Sequence, residues 1–225
     1  MKFYYINLER RPDRKTHMEG QFNNAGIENY ERFEALDGTK LQSYTVSVEE
    51  ICLFKNADFK RKPNTKLLIG NQLSHLRVLQ KFLYSDSNIG VVMQDDMVFC
   101  KKFGDELENV INNLPEDAEV VNVGFHKLAV YANFIPFDLS KINTEHIKTK
   151  VNDYVCKIKD DFNPCSSAYI VTKKGAKDFV EYVYKNGCYR ATDCVFNDYL
   201  KKKDIFYGSV NVLCTGANMG SDIFV

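Results

Sequence analysis

Residues 89–96 read Ile89-Gly90-Val91-Val92-Met93-Gln94-Asp95-Asp96, an apolar run that ends in two carboxylates. A short, continuous apolar run is typical of a central strand that is covered on both faces in an α/β protein. Adjacent carboxylates at the end of such a strand repel each other and resist desolvation, so they stay ionised at low cost only beside a positive charge. The stretch therefore predicts a buried strand that delivers acidic side chains to one edge of a sheet.

Predicted helices and strands alternate on both sides of this run. Leucines at helical spacing predict an amphipathic helix over Gly70–Tyr84, and Pro12 favours the first turn of another helix, which ends near Gly26. This alternation favours an α/β fold, a mostly parallel mixed sheet with helices on both faces, as one domain over residues 1–225. Further strands are predicted at Phe3–Leu8, Arg32–Leu36, Ala118–Phe125, Val151–Ile158, Ser167–Val171 and Ile205–Val212, and further helices at Val46–Phe54, Phe103–Leu114, Lys174–Tyr184 and Cys194–Leu200.

The charges of the chain balance, with 30 Lys and Arg against 30 Asp and Glu. A zero net charge argues against a general nucleic-acid binder, which needs excess basic side chains to displace counterions from phosphates. The charges are nevertheless separated, since Lys55–Lys66 carries five basic residues and one acidic residue, whereas Asp95–Glu119 carries eight acidic residues and two basic ones. A basic flap and an acidic edge suit a site for a metal-bound diphosphate, although solvated surfaces explain much of each run.

The cysteines and the N-terminal sequence indicate the cellular compartment in which the protein is expected. The seven cysteines are never spaced Cys-x-x-Cys, which argues against a zinc ribbon or a thioredoxin-like pair and favours small buried residues in a reducing compartment. The N-terminus lacks the pattern of a signal peptide, and no apolar run approaches the ~18 residues of a membrane helix. We therefore expect a cytoplasmic protein without an integral membrane segment, with peripheral membrane association left open.

Candidate ligand-binding residues follow the predicted strands, because open α/β sheets bind ligands beyond the carboxyl ends of their strands. Gln94, Asp95 and Asp96 follow the central strand and offer hard oxygen donors of the kind that suits Mg²⁺ or Mn²⁺. The alternative is a solvated turn that caps the next helix.

A second candidate group follows the first strand and consists of Arg10, Arg11 and Arg14. Guanidiniums and the free N–H groups of a helix N-terminus both attract anions, and a nucleotide diphosphate is a natural ligand. The alternative is a solvated helix face on which Glu9 and Asp13 are the partners of the arginines.

Several common enzyme classes are excluded by missing motifs. The chain has no Gly-x-Ser-x-Gly elbow, no Gly-x-Gly-x-x-Gly fingerprint and no Gly-x-x-x-x-Gly-Lys-Ser/Thr loop. Hydrolases of the α/β type, Rossmann dehydrogenases and P-loop NTPases are therefore unsupported. His75, inside the predicted helix, is by itself more typical of a satisfied polar residue than of a catalyst.

Seven blocks occur in a fixed order along nearly the whole chain: Tyr5–Arg14, Phe33–Gly38, Gly70–Arg77, Val91–Asp96, Ser166–Val171 with Gly175-Ala176, Thr192-Asp193 and Gly220–Ile223. In sequence and order they resemble the motifs of glycosyltransferase family 25. This family includes bacterial lipooligosaccharide galactosyltransferases and procollagen galactosyltransferases.

The resemblance implies a GT-A fold and transfer of galactose or glucose from a UDP-sugar, with inversion at the anomeric carbon, to a hydroxyl of a glycan or hydroxylysine acceptor. It implies Mn²⁺ or Mg²⁺ as cofactor, with Asp96 and Gln94 as ligands. Loops such as Lys127–Asp161 are expected to set acceptor specificity. The donor-binding residues that it implies are Asn7, Leu8, Arg11, Arg14, Asp37, Gly38, Ser74, His75, Gln94 and Asp95, with Ser74 and His75 on a helix that faces the donor.

One position departs from the family pattern, because Gln94 stands where the family has Glu. An amide oxygen still ligates a hard cation but adds no charge, so we expect Asp96 to be the main ligand and the metal affinity to be weaker. The alternative is a weak or inactive member that acts as a nucleotide- or glycan-binding module.

An inverting transfer also needs a carboxylate that takes the proton of the acceptor hydroxyl, across the sugar from the metal. Asp193 is the first candidate for this base. The alternative role for Asp193 is an N-terminal cap of the helix at Cys194–Leu200. Asp222 is the second candidate, and it also suits a role as a metal ligand.

Overall fold

The computed structural model describes residues 1–42, 45–58, 64–125, 130–131 and 144–223. Single turns of 3-10 helix span Gly38–Lys40 and Cys165–Ser167. The helices are α1 (Pro12–Asn24), α2 (Val48–Cys52), α3 (Thr65–Leu83), α4 (Phe103–Asn112), α5 (Lys173–Asn186) and α6 (Thr192–Lys202). The strands are β1 (Lys2–Asn7), β2 (Tyr30–Glu34), β3 (Ile89–Gln94), β4 (Met97–Phe99), β5 (Val120–Asn122), β6 (Val130–Tyr131), β7 (Ile147–Lys150), β8 (Val155–Ile158), β9 (Ala168–Thr172), β10 (Tyr207–Ser209) and β11 (Cys214–Ala217).

Eight strands form one mixed sheet in the order β2-β1-β3-β9-β5-β10-β8-β7. β1 pairs in parallel with β2 and β3, and β5 pairs in parallel with β10. β9 and β8 run antiparallel to the neighbours on both of their sides. Six of the eight strands therefore share one direction, which confirms the predicted α/β fold with a mostly parallel mixed sheet.

Helices cover both faces of the sheet, as the alternating side chains of β1 demonstrate. Phe3 and Tyr5 lie on one face and pack against Phe22 of α1, with ring centroids 6.0 and 5.8 Å apart. Tyr4 points to the opposite face, where its hydroxyl contacts Ser85 just beyond the end of α3. The strand is therefore buried on both faces, which explains its continuous apolar sequence.

A second, smaller sheet joins β4, β11 and β6. β4 follows β3 directly after Asp95 and Asp96, and β11 pairs with β4 in the antiparallel sense. The Ala217 N–H donates a hydrogen bond of 2.7 Å to the carbonyl oxygen of Asp96. This pairing places residues 217–223 beside the acidic end of β3.

The structure differs from the sequence prediction mainly in its short strands. The predicted strand Ile205–Val212 contains only β10, and β4 and β11 were not predicted. Strands of three or four residues carry little local pattern, and cross-strand pairing decides whether they form. The prediction of buried cysteines holds for Cys100, Cys156, Cys188 and Cys214.

Parts of two predicted segments lie outside the described residues. In the basic flap these are residues 59–63. In and just before the segment expected to set acceptor specificity they are residues 126–129 and 132–143. No helix in the described ranges combines the length and the apolar character that crossing a bilayer requires.

Helix α3 lies against the connection that follows β2, and two glycines permit this close approach. A Cβ atom on Gly70 would lie 2.5 Å from the Leu36 carbonyl oxygen. A Cβ atom on Gly38 would lie 2.3 Å from the Lys66 carbonyl oxygen. Both distances are far shorter than a van der Waals contact and involve backbone atoms, so larger residues at these positions would push the helix and the connection apart.

We predict that Gly70→Ala lowers the free energy of unfolding by about 1–3 kcal/mol, the usual cost of overpacking. Gly20→Ala is the matched control, because Gly20 also lies in a helix but a Cβ atom there meets nothing within 4 Å. The control is expected to be neutral or slightly stabilising, since Ala is the better helix former. Chemical denaturation of the three proteins tests this, and equal stabilities would contradict the close contact.

Candidate functional site

A cleft of about 780 Å³ opens at the carboxyl ends of β1, β2 and β3. The first turn of α6 and residues 217–223 complete its walls. Of the residues predicted from the sequence, Asn7, Arg11 and His75 are not in the lining. The predicted residues that do line it are Leu8, Arg10, Arg14, Asp37, Gly38, Ser74, Gln94, Asp95, Asp96, Asp193 and Asp222.

A buried ion pair lies at the back of the cleft. Arg14 Nη1 donates to one carboxylate oxygen of Asp95 at 2.7 Å, and Asn7 Nδ2 donates to the other oxygen at 2.7 Å. Burial raises the pKa of Asp95 and the charge of Asp96 adds to this effect, whereas Arg14 and Asn7 oppose it. Both Asp95 oxygens are thus engaged by the protein, so its role in this structure is to hold the ends of β1 and β3 and helix α1 together.

Three arginines converge on the carboxylate of Asp222. Arg10 Nη1 binds one oxygen at 2.5 Å, Arg11 Nη1 binds the other, and Arg14 Nη2 lies 3.7 Å away. The sequence left open whether these arginines form an anion site or a solvated face. In the structure their shared partner is a carboxylate of the chain itself, Asp222, and Arg11 also pairs with Asp13 as the second interpretation expected, so binding of an anionic ligand stays a prediction.

Arg14 combines burial with an unused hydrogen-bond donor. Only 6% of its surface is exposed, and its Nε has no hydrogen-bond partner in the described part of the chain. Its Nη2 donates to the Gly220 carbonyl oxygen at 2.5 Å. The Nε atom itself has almost no accessible surface, so it does not face a ligand in the cleft in this structure.

Gln94 and Asp96 line the cleft beside these ion pairs and present oxygen donors of the kind that binds divalent cations. Within the described residues, no group of three or more His, Cys, Asp or Glu side chains is arranged to hold a metal ion. Mg²⁺ needs fewer protein ligands, because it is usually bound by one or two carboxylates together with phosphates and water. The amide and carboxylate oxygens therefore fit a cation that a diphosphate helps to bind, and not one held by protein alone.

Another part of the lining is apolar. It consists of aliphatic side chains from β1, the β2 connection, α3 and the C-terminal segment: Ile6, Leu8, Leu36, Leu67, Leu68 and Ile223. An apolar slot next to an arginine cluster suits a ligand with a flat ring at one end and a charged group at the other.

Ser74 and His75 have different surroundings although they are adjacent on α3. Ser74 Oγ accepts from the Leu36 N–H at 2.8 Å and donates to the Gly70 carbonyl oxygen at 2.7 Å, which fixes the cleft wall. His75 points into the core, where its Nδ1 lies 3.1 Å from the Tyr169 hydroxyl. Complete burial lowers the pKa of His75 to about 4, so the ring is neutral near pH 7. In this structure His75 is therefore a core residue that does not face the cleft.

Asp193 lies in the first turn of α6 and lines the cleft. The N-cap of α6 is Ala191, which has no side-chain cap, so the structure contradicts the alternative in which Asp193 is the cap. Asn163 Nδ2 donates a hydrogen bond to Asp193 Oδ2, and Thr192 Oγ1 donates to Asn71 Oδ1 at 2.7 Å. Two asparagines thus fix this turn at the cleft.

Sequence reasoning did not single out either asparagine. Asn71 lies inside the Gly70–Arg77 block, so that block was a signal for it. Asn163 lies in a stretch without periodicity or motif, between β8 and β9, and only the fold brings it to α6.

The chain is similar to known glycosyltransferases in sequence. The model of the family described as "Glycosyltransferase family 25 (LPS biosynthesis protein)" matches residues 1–196. A glycosyltransferase 25 family member of Anopheles gambiae is 26% identical over 178 residues, which cover 77% of this chain and 27% of that protein. The procollagen lysyl hydroxylase and glycosyltransferase of Acanthamoeba polyphaga mimivirus is 26% identical over 193 residues, which cover 80% of this chain and 19% of that protein. The chain therefore spans less than a third of the length of these relatives.

Solved structures show a distant likeness. Mouse xyloside xylosyltransferase 1 in its apo form has a TM-score of 0.45 and 10% sequence identity, and the match covers 91% of this chain and 83% of that one. The galactosyltransferase LgtC, in complex with donor and acceptor sugar analogs, has a TM-score of 0.42 and 10% identity, with coverage of 88% and 70%. Nothing about the cleft is carried over from structures at this distance.

The buried, neutral His75 predicts an acid-sensitive contribution to stability. The pKa of a histidine in the unfolded chain is about 6.5 and that of His75 in the folded chain is about 4, so the unfolded state binds more protons in between. The contribution of His75 to the free energy of unfolding is fully present above pH 6.5 and is lost as the pH falls toward 4. Between pH 7 and pH 5 the loss amounts to about 2 kcal/mol.

The measurement is the free energy of unfolding against pH for the wild type and for His75→Gln, which does not titrate. The wild type is expected to lose more stability than the variant between pH 7 and pH 5, whatever their difference at pH 7. His17 and His146 stay in both proteins and cancel in the comparison. Parallel pH profiles would mean that His75 does not titrate as proposed.

Proposed function

We propose, because the chain belongs to glycosyltransferase family 25, that it transfers galactose or glucose from a UDP-sugar to a hydroxyl of a glycan or hydroxylysine acceptor. The proposal takes the transfer to be inverting and metal-assisted, on the GT-A arrangement that the sequence led us to expect. The observation that carries it is one cleft in which an apolar slot, an arginine cluster that binds an oxyanion, and hard oxygen donors adjoin one another.

The donor fits this cleft in one direction. The uracil ring belongs in the apolar slot beside Leu36 and Leu68, and the diphosphate belongs near Arg14, whose positive charge lines the cleft. Asp222 now binds the arginines that a diphosphate would contact. Donor binding would therefore exchange one oxyanion for another, which requires that residues 217–223 shift when UDP is bound.

Asp96 and Gln94 are the residues that would hold Mn²⁺ or Mg²⁺ together with the diphosphate. The cation would neutralise the negative charge that develops on the departing UDP. This assignment uses Asp96 as the charged ligand, since both oxygens of Asp95 accept short hydrogen bonds from Arg14 and Asn7, whereas Asp96 Oδ2 lies 3.7 Å from Arg14 Nη1.

Asp193 is the better of the two candidate bases. Its described partners are neutral groups, the amide of Asn163 and the thiol of Cys194, and it lines the cleft from the α6 side. Asp222 is ion-paired with Arg10 and Arg11, so taking up a proton would disrupt two charge-assisted hydrogen bonds. A carboxylate held by arginines is suited to binding and ordering, and less suited to accepting a proton.

Two lines support the acceptor classes. The description of the family refers to LPS biosynthesis, and one similar mimivirus protein is named as a procollagen lysyl hydroxylase and glycosyltransferase. Both acceptor types present an alcohol to an activated sugar, so the same base and the same donor site serve either one.

We predict that the protein releases UDP from UDP-galactose or UDP-glucose in the presence of Mn²⁺, even without an acceptor, because water replaces the acceptor slowly. Asp96→Ala should lower this release by roughly 10²-fold or more, since the cation loses its charged ligand. Asp86→Ala, at an exposed acidic residue after α3, is the matched control and should behave as the wild type. A coupled UDP assay with and without Mn²⁺ measures these rates.

The outcomes separate enzyme from binding module. If UDP raises the melting temperature but no UDP-sugar is turned over, the alternative of a nucleotide-binding module is supported. The specific observation that favours that alternative is Gln94, an amide where the family has a carboxylate. Turnover that is unaffected by Asp96→Ala would instead contradict the assigned metal ligand.

We also predict that Asp193→Asn lowers the turnover number of transfer by about 10²–10⁴-fold, the usual contribution of a general base. The affinity for UDP should stay within about twofold, because the substitution keeps the size of the side chain and removes only its basicity. Isothermal titration with UDP and an acceptor assay measure the two quantities. An equal loss in Asp222→Asn alone, with Asp193→Asn active, would move the base to Asp222.

A further inference from the structure

The side chain of Asn163 bridges two consecutive turns of α6. Its Nδ2 donates to Asp193 Oδ2, and its Oδ1 accepts from Asn197 Nδ2 at 3.0 Å. Asp193 and Asn197 are four residues apart and therefore lie on the same face of the helix. Asn163 comes from the loop between β8 and β9, so this bridge is a tertiary contact that joins the loop to the helix.

We propose that Asn163 is the positioning residue that sets the orientation of the Asp193 carboxylate toward the acceptor. This inference rests on the proposed function, in which Asp193 takes the acceptor proton. The amide engages Oδ2 and holds the carboxylate plane together with the Cys194 thiol, which also hydrogen-bonds this carboxylate, and Oδ1 is the oxygen assigned to the acceptor hydroxyl. Neither the sequence motifs nor the family resemblance marks Asn163.

The orientation of the Asn163 amide is fixed by its other partners. Its Oδ1 accepts from two N–H donors, the backbone N–H of Cys165 at 2.9 Å and the side chain of Asn197. An amide oxygen accepts and an amide nitrogen donates, so the oxygen must face these two donors. The NH₂ group is consequently turned to Asp193, and a flipped amide would lose three hydrogen bonds at once.

The backbone of the loop is shaped to deliver this contact. Cys165 has a φ of 56°, in the left-handed region of backbone conformation that residues other than glycine rarely adopt. The following 3-10 turn, Cys165–Ser167, brings Cys165 and Ser166 into the lining of the cleft. Strained backbone of this kind persists where its surroundings hold it in place, and it concentrates at functional sites.

The first turn of α6 is held from a second side. Thr192, which is buried, donates to Asn71 of α3. Asn163 and Asn71 thus fix neighbouring residues of one helical turn from two different elements. Because Asn71 also holds this turn, loss of the Asn163 side chain is expected to act chiefly on the rotation of the Asp193 carboxylate.

This rotation matters for the chemistry of an inverting transfer. The acceptor O–H proton moves to Asp193 Oδ1 while the acceptor oxygen bonds to the anomeric carbon, and the bond from that carbon to the β-phosphate oxygen breaks, with its electron pair leaving on UDP. The base must lie within hydrogen-bond reach of the hydroxyl in this step. A misplacement of about 1 Å at a reacting group costs on the order of 10²-fold in rate.

The experiment compares Asn163→Ala and Asn163→Asp with the wild type in an acceptor assay. Asn163→Ala should lower the turnover number by about 10–100-fold with the KM for donor and the affinity for UDP within about twofold. Asn163→Asp keeps an oxygen for Cys165 and Asn197 but replaces the donor to Asp193 with a second carboxylate oxygen, whose negative charge repels Asp193, so its turnover number should fall at least as far as that of Asn163→Ala. Asn186→Ala, at an exposed asparagine at the end of α5, is the matched control and should be fully active.

A double-mutant cycle distinguishes positioning from a general structural effect. If Asn163 acts through Asp193, Asn163→Ala should have no further effect on turnover in the Asp193→Asn background. Multiplicative losses in the double variant would overturn the proposal, and so would full activity of both Asn163 variants. Losses that appear in KM or in the melting temperature, with the turnover number unchanged, would also overturn it.

Failure of the proposed function gives a different result. In that case Asp193→Asn would itself be as active as the wild type, or no variant would transfer sugar. If Asp193→Asn is inactive and the Asn163 variants are fully active, only the positioning role is wrong.

Discussion

The hydrogen-bonded ion pair between Arg14 and Asp95 is the interaction on which the site depends. Two adjacent carboxylates at the end of a buried strand are unstable without a positive partner, and Arg14 from α1 supplies it at 2.7 Å. Asn7 at the end of β1 binds the second oxygen of Asp95. One guanidinium and one amide thus join two parallel strands and a helix at the edge where the cleft opens. Removal of either charge would leave the other buried without its partner.

The C-terminal segment takes its position from the same edge. β11 pairs with β4, the short strand that follows the acidic residues, and this pairing leads the chain back over the cleft. Asp222 then meets Arg10 and Arg11, and the Gly220 carbonyl oxygen meets Arg14. The arginines that the sequence associated with an anionic ligand are therefore already bound to an oxyanion of the protein. Ligand binding at this edge and the position of residues 217–223 are physically linked.

Several motifs that suggested ligand contacts have a structural role that is at least as clear. Gly70 and Gly38 permit the close approach of α3 to the connection after β2, and Ser74 hydrogen-bonds that connection through the Leu36 N–H. His75, next to Ser74, is buried against Tyr169. The Gly-x-x-x-Ser-His block therefore shapes the cleft wall. A motif in a sequence marks a position under constraint, and only the fold shows whether the constraint is packing or chemistry.

The sequence by itself determined the α/β class, the long helices and the central strands, because apolar periodicity and continuous apolar runs are local properties. It also placed arginines and carboxylates at strand ends, which share one edge when strands run in parallel. The tertiary structure alone decided β4 and β11, the pairing of the arginines with Asp222, the burial of His75, and the contact between Asn163 and Asp193. Each of these depends on residues far apart in the chain, where burial and hydrogen-bond geometry select partners that no local pattern records.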